Sequence, residues 1–260
     1  MVKSNEMTDR GTNALKTHMT GCDKLEMRQT RRGWLQECLG CEAKTEFKYF
    51  IGGTQVFHSL EDAGCFCRCC CQPCHPYTMT VKELNTEAEI VTVDRPFRCA
   101  SGSCKCCCYQ EATFTSGGNE LGRAKETCWF CVPSLKVFDH TGNQLYLIHP
   151  PTCCGGCCVN CCAEGNPCGK GCCKESFRIF PADAGNTDGD APYLGMILKK
   201  PKSMATELFT DSDAFVIDFP KDASADQKGI LIGMGILINS IFYESDQSNS
   251  GADAALSFAG

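Results

Sequence analysis

The residues best equipped for chemistry in this chain are its cysteines, 25 of 260, all lying between Cys22 and Cys173. They come in bursts. Cys65, Cys67, Cys69, Cys70, Cys71 and Cys74 form one, and Cys99, Cys104, Cys106, Cys107 and Cys108 form another. Cys128 and Cys131 make a C-x-x-C pair, and a last run leads through to Cys168, Cys172 and Cys173. Three chemistries compete for them. Zinc takes four soft ligands in a tetrahedron, and each C-x-x-C pair supplies two. By that spacing Cys153, Cys154, Cys157, Cys158, Cys161 and Cys162 are candidates for zinc or for further acylation, with Cys128 and Cys131 as another pair for the metal. Reversible S-acylation is the second chemistry: one acyl chain holds a bilayer marginally, two hold it firmly, at about 0.8 kcal/mol per buried methylene. The third reading is that many are loop thiols with no special role. His58, His75 and His149 stand near the bursts, where a lone histidine is more often a surface residue than a ligand.

So dense a cysteine content usually marks a short disulfide scaffold or a metal-loaded chain. The first of these is disfavoured. The N-terminal stretch has no apolar run of the kind a signal peptide needs, no N-x-[ST] site occurs, and the cysteine count is odd. A reducing, cytosolic setting is the expectation. Other chemistry is absent from the motifs. The segment GNPCGKG (165–171) is one residue short of a phosphate loop and lacks its Ser or Thr. There is no G-x-S-x-G, no H-E-x-x-H and no paired-carboxylate motif, so no catalytic residue is assigned. Net charge is -6, and Lys202 to Gly260 carries the surplus with three basic against nine acidic residues. An acidic chain of this kind is not expected to bind nucleic acid nonspecifically.

The elements that must hold the cysteines read as short strands. EFKYFI (46–51), QVFHSL (55–60), YTMTVKEL (77–84), EIVTVDRPF (89–97) and YQEATFTS (109–116) are the first five. SLKVFDH (134–140), QLYLIH (144–149), ESFRIFP (175–181), LGMILKK (194–200) and AFVIDFP (214–220) complete the ten. Turn residues separate them, which predicts an all-β sandwich or barrel rather than a doubly wound α/β fold. Residues 1–24 are polar and read as a flexible lead-in, and LEMRQTRRGWLQECLGCE (25–42) reads as either a helix or the approach to a first strand. One segment breaks the pattern: KGILIGMGILINSIFYES (228–245) is apolar on every helical face. Such a helix must be buried in protein or in lipid. The 15 residues from Gly229 to Tyr243 would span roughly 22 Å, short of a ~30 Å hydrocarbon core. The expectation is therefore a helix inside a β-barrel, with a membrane span as the alternative. Its apolar residues are Ile230, Leu231, Ile232, Met234, Ile236, Leu237, Ile238, Ile241 and Phe242. The tail 246–260 reads as disordered.

With these residues in view, the chain resembles the phospholipid scramblases. The stretches that carry the resemblance are LQECLGCEAKTEFKYFI (35–51), VTVDRPFRC (91–99) with its cysteine burst, ELFTDSDAFVIDFPKDA (207–223) and KGILIGMGILINSIFYES (228–245). Together they run from about Leu25 to Ser245, so that 25–245 is expected to be one domain. The resemblance implies a mostly β, tubby-like fold: a closed antiparallel barrel around the hydrophobic C-terminal helix. It also carries a single-pass description in which that same helix spans the membrane. The implied function is calcium-dependent, ATP-independent movement of phospholipids between leaflets at the plasma membrane, which is not bond-making catalysis. The implied calcium ligands are Asp211, Asp213, Phe215, Ile217, Phe219 and Asp222, with Phe215 and Ile217 acting through backbone carbonyls. Against the EF-hand pattern, Val216 stands where glycine belongs and Asp222 where a bidentate Glu belongs, so binding no tighter than about 10⁻⁴ to 10⁻³ M is expected. The competing reading makes Phe215, Ile217 and Phe219 the inward face of a strand with Asp218 outward.

The implied acylation cluster is Cys104, Cys106, Cys107 and Cys108, beside Arg98 and Lys105, which favour an anionic leaflet on the cytoplasmic side. The stretch LKKPKSM (198–204) keeps three lysines of a nuclear import signal but not its full pattern. No Pro-rich arm is present, so SH3 and WW partners are not expected. One short helix is a poor lipid conduit, so scrambling would call for a homo-oligomer or a thinned membrane. The alternatives are an acylated, tubby-like adaptor that binds anionic lipids or proteins without moving lipid, and a cysteine-rich zinc scaffold. Ca²⁺, and Zn²⁺ on the third reading, are the metals to test.

Overall fold

A computed structural model describes residues 2–31, 45–62, 74–98, 104–105, 107–130, 132–153, 155–160, 175–185, 187, 191–200 and 214–243. Twelve antiparallel strands, numbered with the others in chain order, close into a barrel. Around the wall run β1 (Lys24–Arg31), β16 (Ala214–Asp218), β15 (Gly195–Lys200), β14 (Glu175–Pro181), β11 (Gln144–His149) and β10 (Leu135–Asp139). The circuit continues through β8 (Asn119–Glu126), β7 (Glu111–Ser116), β5 (Glu89–Arg95), β4 (Tyr77–Glu83), β3 (Thr54–Asp62) and β2 (Thr45–Ile51), which pairs with β1 again. Closure pairs both edges of every wall strand. Outside the wall, β6 (Cys104–Lys105) pairs with β9 (Trp129–Phe130), and β12 (Thr152–Cys153) pairs with β13 (Cys158–Val159).

The wall follows from period-two alternation. Thr45, Phe47 and Tyr49 of β2 and Tyr77, Met79 and Val81 of β4 are buried, while the residues between them are half-exposed. All ten strands expected from the alternation stand in the wall. The two others are β1, where the sequence left helix and strand open, and β8. The latter, NELGRAKE, has little apolar signal because two of its buried positions, Gly122 and Ala124, are small and a third is Glu126. A Cβ on Gly122 would lie 2.1 Å from the Phe138 carbonyl oxygen and 2.9 Å from Ile230 Cδ1.

The bore is filled by α2 (Ala225–Phe242). The helix starts earlier than its apolar run because Ser224 and Gln227 form a capping box: Ser224 Oγ accepts from the Gln227 amide and Gln227 Oε1 from the Ser224 amide. Every residue from Lys228 to Ser240 is buried. The helix within a barrel is therefore observed. Among the described residues, no helix is long and apolar enough to cross a membrane.

Residues 1–24 need correction. Val2–Met19 form a helix, α1, which lies over one end of the barrel. Leu15 and Met19 are fully buried, and Gly11 lies so close to β5 that a Cβ would be 2.2 Å from the Glu89 carbonyl oxygen. His18 Nε2 lies 2.6 Å from Glu83 Oε1, and Lys228 Nζ donates to the Met19 carbonyl at 3.0 Å. Leu15 and Met19, four residues apart, mark one face of one turn, too little for a periodicity to show. Tertiary contacts supply the rest.

An up-and-down barrel sends alternate connections to opposite ends. One end, the turn rim, has connections 20–23, 52–53, 84–88, 117–118, 140–143, 182–194 and 219–224, together with α1. The other, the loop rim, has 32–44, 63–76, 96–110, 127–134, 150–174 and 201–213, together with the C-terminal end of α2.

Candidate functional site

The bore and the loop rim hold the residues singled out by the sequence. The bore is sealed. Gly233 faces Phe114 so closely that a Cβ would lie 2.4 Å from the ring, and a Cβ on Gly229 would touch Leu15, Leu121 and Val91 at 3.1–3.3 Å. Ile230, Leu231, Ile232, Met234, Ile236, Leu237 and Ile238 are buried against the wall on all sides, whereas Ile241 and Phe242 are partly buried at the loop rim. There Phe242 stacks on Phe177 at 5.2 Å between centroids, and Ser240 Oγ lies 2.9 Å from the Tyr77 hydroxyl. A cleft between Glu61, Tyr77, Asn239 and Ser240 has room for about one water molecule. A phospholipid headgroup has no path through this bore.

Of the described cysteines, Cys74, Cys104, Cys107, Cys108, Cys128, Cys153, Cys157 and Cys158 fall in the connections of the loop rim, and Cys22 is on the turn rim. Cys22 is buried, its Sγ donates to the Lys24 carbonyl, and burial pushes its thiol pKa up. It is a structural thiol. Of the expected acylation cluster, Cys104 lies in β6 opposite Phe130, Cys107 and Cys108 are exposed, and Cys106 lies outside the described residues. Of the expected zinc run, Cys153 is half-buried directly opposite Cys158 in the β12–β13 ladder, and Cys157 and Cys158 are exposed. Cys154, Cys161 and Cys162 lie outside the described residues. Among the described residues, no group of three or more His, Cys, Asp or Glu is placed to hold a metal ion.

Beneath the loops lies a buried polar belt that the sequence did not reveal. Glu61 Oε1 meets His75 Nε2 at 3.0 Å, and Glu61 Oε2 accepts from the Thr45 amide at 3.2 Å. Arg95 donates through Nη1 to the His75 carbonyl and through Nε and Nη2 to Gln110 Oε1. The Gln110 amide donates to Glu126 Oε2, and Trp129 Nε1 donates to Glu126 Oε1 at 3.0 Å. Each of these side chains stands at a strand end or in the loop beside it, so the belt ties the feet of four loop-rim connections to the wall. His75 and His149 correct the expectation of surface histidines. His75 is fully buried on Glu61; His149 donates from Nδ1 to the Pro150 carbonyl at 2.7 Å and stacks on Phe180. Partners 14 to 16 residues apart leave no local pattern, which is why the belt was invisible in the sequence.

The segment expected to hold calcium is strand β16. Phe215, Ile217 and Phe219 are buried inward, and Asp218 points out to Lys24 Nζ at 3.0 Å. β16 pairs with β1 on one side and β15 on the other, so the Phe215 and Ile217 carbonyls belong to ladders. Asp222 is exposed in the turn before α2, on the turn rim. From Phe215 to Phe219 an extended chain covers about 13 Å, whereas ligands across one Ca²⁺ are about 5 Å apart. The described members of the set do not fit one cation in this conformation. Asp211 and Asp213 lie outside the described residues, in the loop-rim connection that precedes β16.

The Scramblase family model matches residues 17–164 and 162–245. Human phospholipid scramblase 1 is 30% identical over 209 residues, covering 79% of this chain and 59% of that protein. Bovine phospholipid scramblase 2 is 30% identical over 231 residues, covering 87% of this chain and 70% of its own. Human phospholipid scramblase family member 5 is 26% identical over 210 residues. The chain thus spans less than two thirds of the human scramblase 1 length. No solved structure matches.

Proposed function

The chain belongs to the phospholipid scramblase family, and from that premise we propose that it moves phospholipids between the leaflets of a bilayer without ATP. The observation that carries this reading is the family match over nearly the whole barrel and its internal helix. The route is constrained by the sealed bore. A charged headgroup pays heavily to cross hydrocarbon without polar groups along its path. Since α2 fills the barrel, the protein acts from the bilayer surface, thinning or disordering it locally, and assembly of several copies would widen the disturbed area. Membrane attachment is proposed through acyl chains on Cys104, Cys106, Cys107 and Cys108, at the cytoplasmic face of the plasma membrane. The exposure of Cys107 and Cys108 supports this.

A requirement for Ca²⁺ is carried by the sequence likeness of Asp211–Asp222 alone, and no step is routed through the ion. Zn²⁺ on Cys153–Cys162 competes with acylation there; metal analysis below one zinc per two chains, after purification without chelator, removes it. A second reading has a specific observation in its favour. A sealed bore and exposed thiols also suit an acylated adaptor that binds anionic lipids and moves none.

The deciding experiment reconstitutes the purified, acylated chain in liposomes with fluorescent phospholipid in both leaflets. A membrane-impermeant reductant reports the protected inner leaflet during a Ca²⁺ titration, with Asp211→Ala/Asp213→Ala alongside. Loss of inner-leaflet protection supports scrambling, and its abolition in the double variant supports calcium at those aspartates. Full protection at every calcium level, with folded protein bound, leaves the adaptor.

A further inference from the structure

The β12–β13 hairpin sets two thiols face to face. Cys153 stands directly opposite Cys158, and Thr152 opposite Val159. One register further out, the Asn160 amide donates to the Pro151 carbonyl at 2.7 Å. Hydrogen-bonded and non-bonded registers alternate along an antiparallel ladder. Thr152–Val159 is therefore the non-bonded pair, and Cys153–Cys158 the bonded one. Partners in a bonded register have Cα atoms about 5.5 Å apart and side chains on one face. That separation lies inside the range of about 4.4–6.8 Å that a disulfide spans. Both cysteines are free thiols; Cys153 is half-buried and Cys158 is exposed.

The register is held at both ends of the hairpin. At its foot Pro150, Pro151 and Thr152 are buried, and the preceding His149 contacts the Pro150 carbonyl and stacks on Phe180 of the wall. At its tip Gly155 and Gly156 turn the chain at φ +66° and +84°, a backbone that glycine adopts without steric cost. A slip of one residue would send the two thiols to opposite faces. Held in register, they meet at an effective concentration in roughly the millimolar range, as groups joined by a short linker do. Closure within one chain thus outruns linkage between chains. The bonded register is also the wider one at the side chains. Opposite Cβ atoms stand about 4.5–5.5 Å apart, whereas a relaxed disulfide wants about 3.5–4.5 Å. The strands must pinch to make the bond, and a strained, exposed disulfide is easily reduced again.

We propose that Cys153 and Cys158 are a reversible redox pair, which closes across the hairpin when the chain meets a low-molecular-weight disulfide such as glutathione disulfide. Nothing in this chemistry depends on lipid transport. Cys158, the more exposed thiol, loses its proton to water, and its thiolate attacks one sulfur of glutathione disulfide. That sulfur–sulfur bond breaks, and one glutathione leaves as thiolate and takes up a proton. Cys153 then attacks the Cys158 sulfur of the mixed disulfide in the same way, and the second glutathione leaves. Two cysteine thiols are oxidised to one disulfide while one glutathione disulfide is reduced to two thiols. In a reducing compartment such bonds are transient and report the redox state. While the bond stands, neither sulfur can take an acyl chain or a zinc ion.

The test exposes the folded, fully reduced chain to glutathione disulfide. Remaining thiols are blocked with iodoacetamide, the protein is reduced, and the released thiols take N-ethylmaleimide. Tandem mass spectrometry reads the second label residue by residue. Cys153 and Cys158 should carry it together, several-fold above the exposed Cys107, Cys108 and Cys157. Cys158→Ser should return Cys153 to the first label. Cys153→Ser removes the resolving thiol, so Cys158 should then hold a glutathione that it does not hold in the parent. Circular dichroism confirms that both variants are folded, and the labelling of the parent stands without them. Concentrated urea dissolves the ladder, and oxidation there should spread the second label along the run from Cys153 to Cys162. A roughly tenfold excess of reduced glutathione should reopen the native pair. First label on Cys153 and Cys158 after native oxidation overturns the pair, and so does a native pattern equal to that in urea. A bond that withstands reduced glutathione overturns its reversibility. Scrambling enters none of these readouts, so the result is the same whether or not the chain moves lipid.

Discussion

Replacing Gly233 with alanine should destabilise the protein, and the same change at Gly235 should not. Both glycines are buried in α2, two residues apart. In an ordinary helix interior either change gains about 0.8–1 kcal/mol from helix propensity. The difference between the two variants cancels that contribution and isolates packing. At Gly233 the new methyl would sit 2.4 Å from Phe114 Cδ1 and 2.6 Å from Cε1, and Phe114 is fully buried. The ring must retreat by about an ångström inside a close-packed core, and overpacking of this kind costs about 1–3 kcal/mol. At Gly235 the nearest atom is the terminal Ile217 Cδ1 at 3.1 Å, followed by the flexible end of Met27 at 3.6 Å. A small rotation accommodates it. Gly233→Ala should therefore be less stable than Gly235→Ala by about 1–3 kcal/mol, or roughly 2–12 °C in Tm for a domain of this size. Urea unfolding followed by far-UV circular dichroism measures the difference. Equal stability of the two variants would refute the tight passage of α2 past Phe114, and with it the sealed bore. A helix facing lipid would give that equality.

Three further outcomes follow from the contacts. Glu61→Ala removes the partner of buried His75 and of the Thr45 amide, so denaturant midpoints should report a loss of about 3 kcal/mol, with Glu61→Gln losing less. Lys228→Met keeps the stem of the side chain but breaks the bond to the Met19 carbonyl; limited proteolysis should cut α1 several times faster while the barrel stays intact. Hydrogen bonds from Thr141 Oγ1, then from Asn143 and the Thr141 amide, hold Asp139 at about 2, below its ordinary 3.8. A carboxylate depressed in the folded state stabilises above its ordinary pKa and loses that contribution as pH falls through the folded one. The Thr141 and Asn143 amide resonances of the folded protein should therefore titrate with a midpoint near pH 2, and Asp139→Ala should abolish that step.

The wall was legible because ten strands expose one face and bury the other, and alternation records that directly. β8 escaped because the bore narrows there, and Gly122 and Ala124 read as small rather than apolar. The helix α2 was legible from its uniform apolarity, and its start lay in the Ser224–Gln227 pair, a capping signal left unread. α1 escaped because its stability is borrowed from Glu83, Glu89 and Lys228, all distant in sequence. For the candidate site, the cysteine positions were plain but their common rim was not. Segregation to one end is a property of strand parity, which no stretch of sequence shows by itself. The belt of Glu61, His75, Arg95, Gln110 and Glu126 is non-local for the same reason. β16 was given two readings, and its inward Phe215, Ile217 and Phe219 match the strand.

The position of α2 in the chain sets the order of events at birth. It is made after all twelve strands of the wall, yet among the described elements it is the one that fills their centre. Its bonds close intervals of 163 residues, from Tyr77 to Ser240, and 209 residues, from Met19 to Lys228. Such long intervals slow folding. Until β16 emerges, β1 has no strand to close against, and until α2 follows it the wall has no filling, so the nascent strands present a hollow apolar sheet. Completion must wait until the helix has left the ribosome. During that interval a chaperone groove and a nearby bilayer compete with the bore for the same apolar segment.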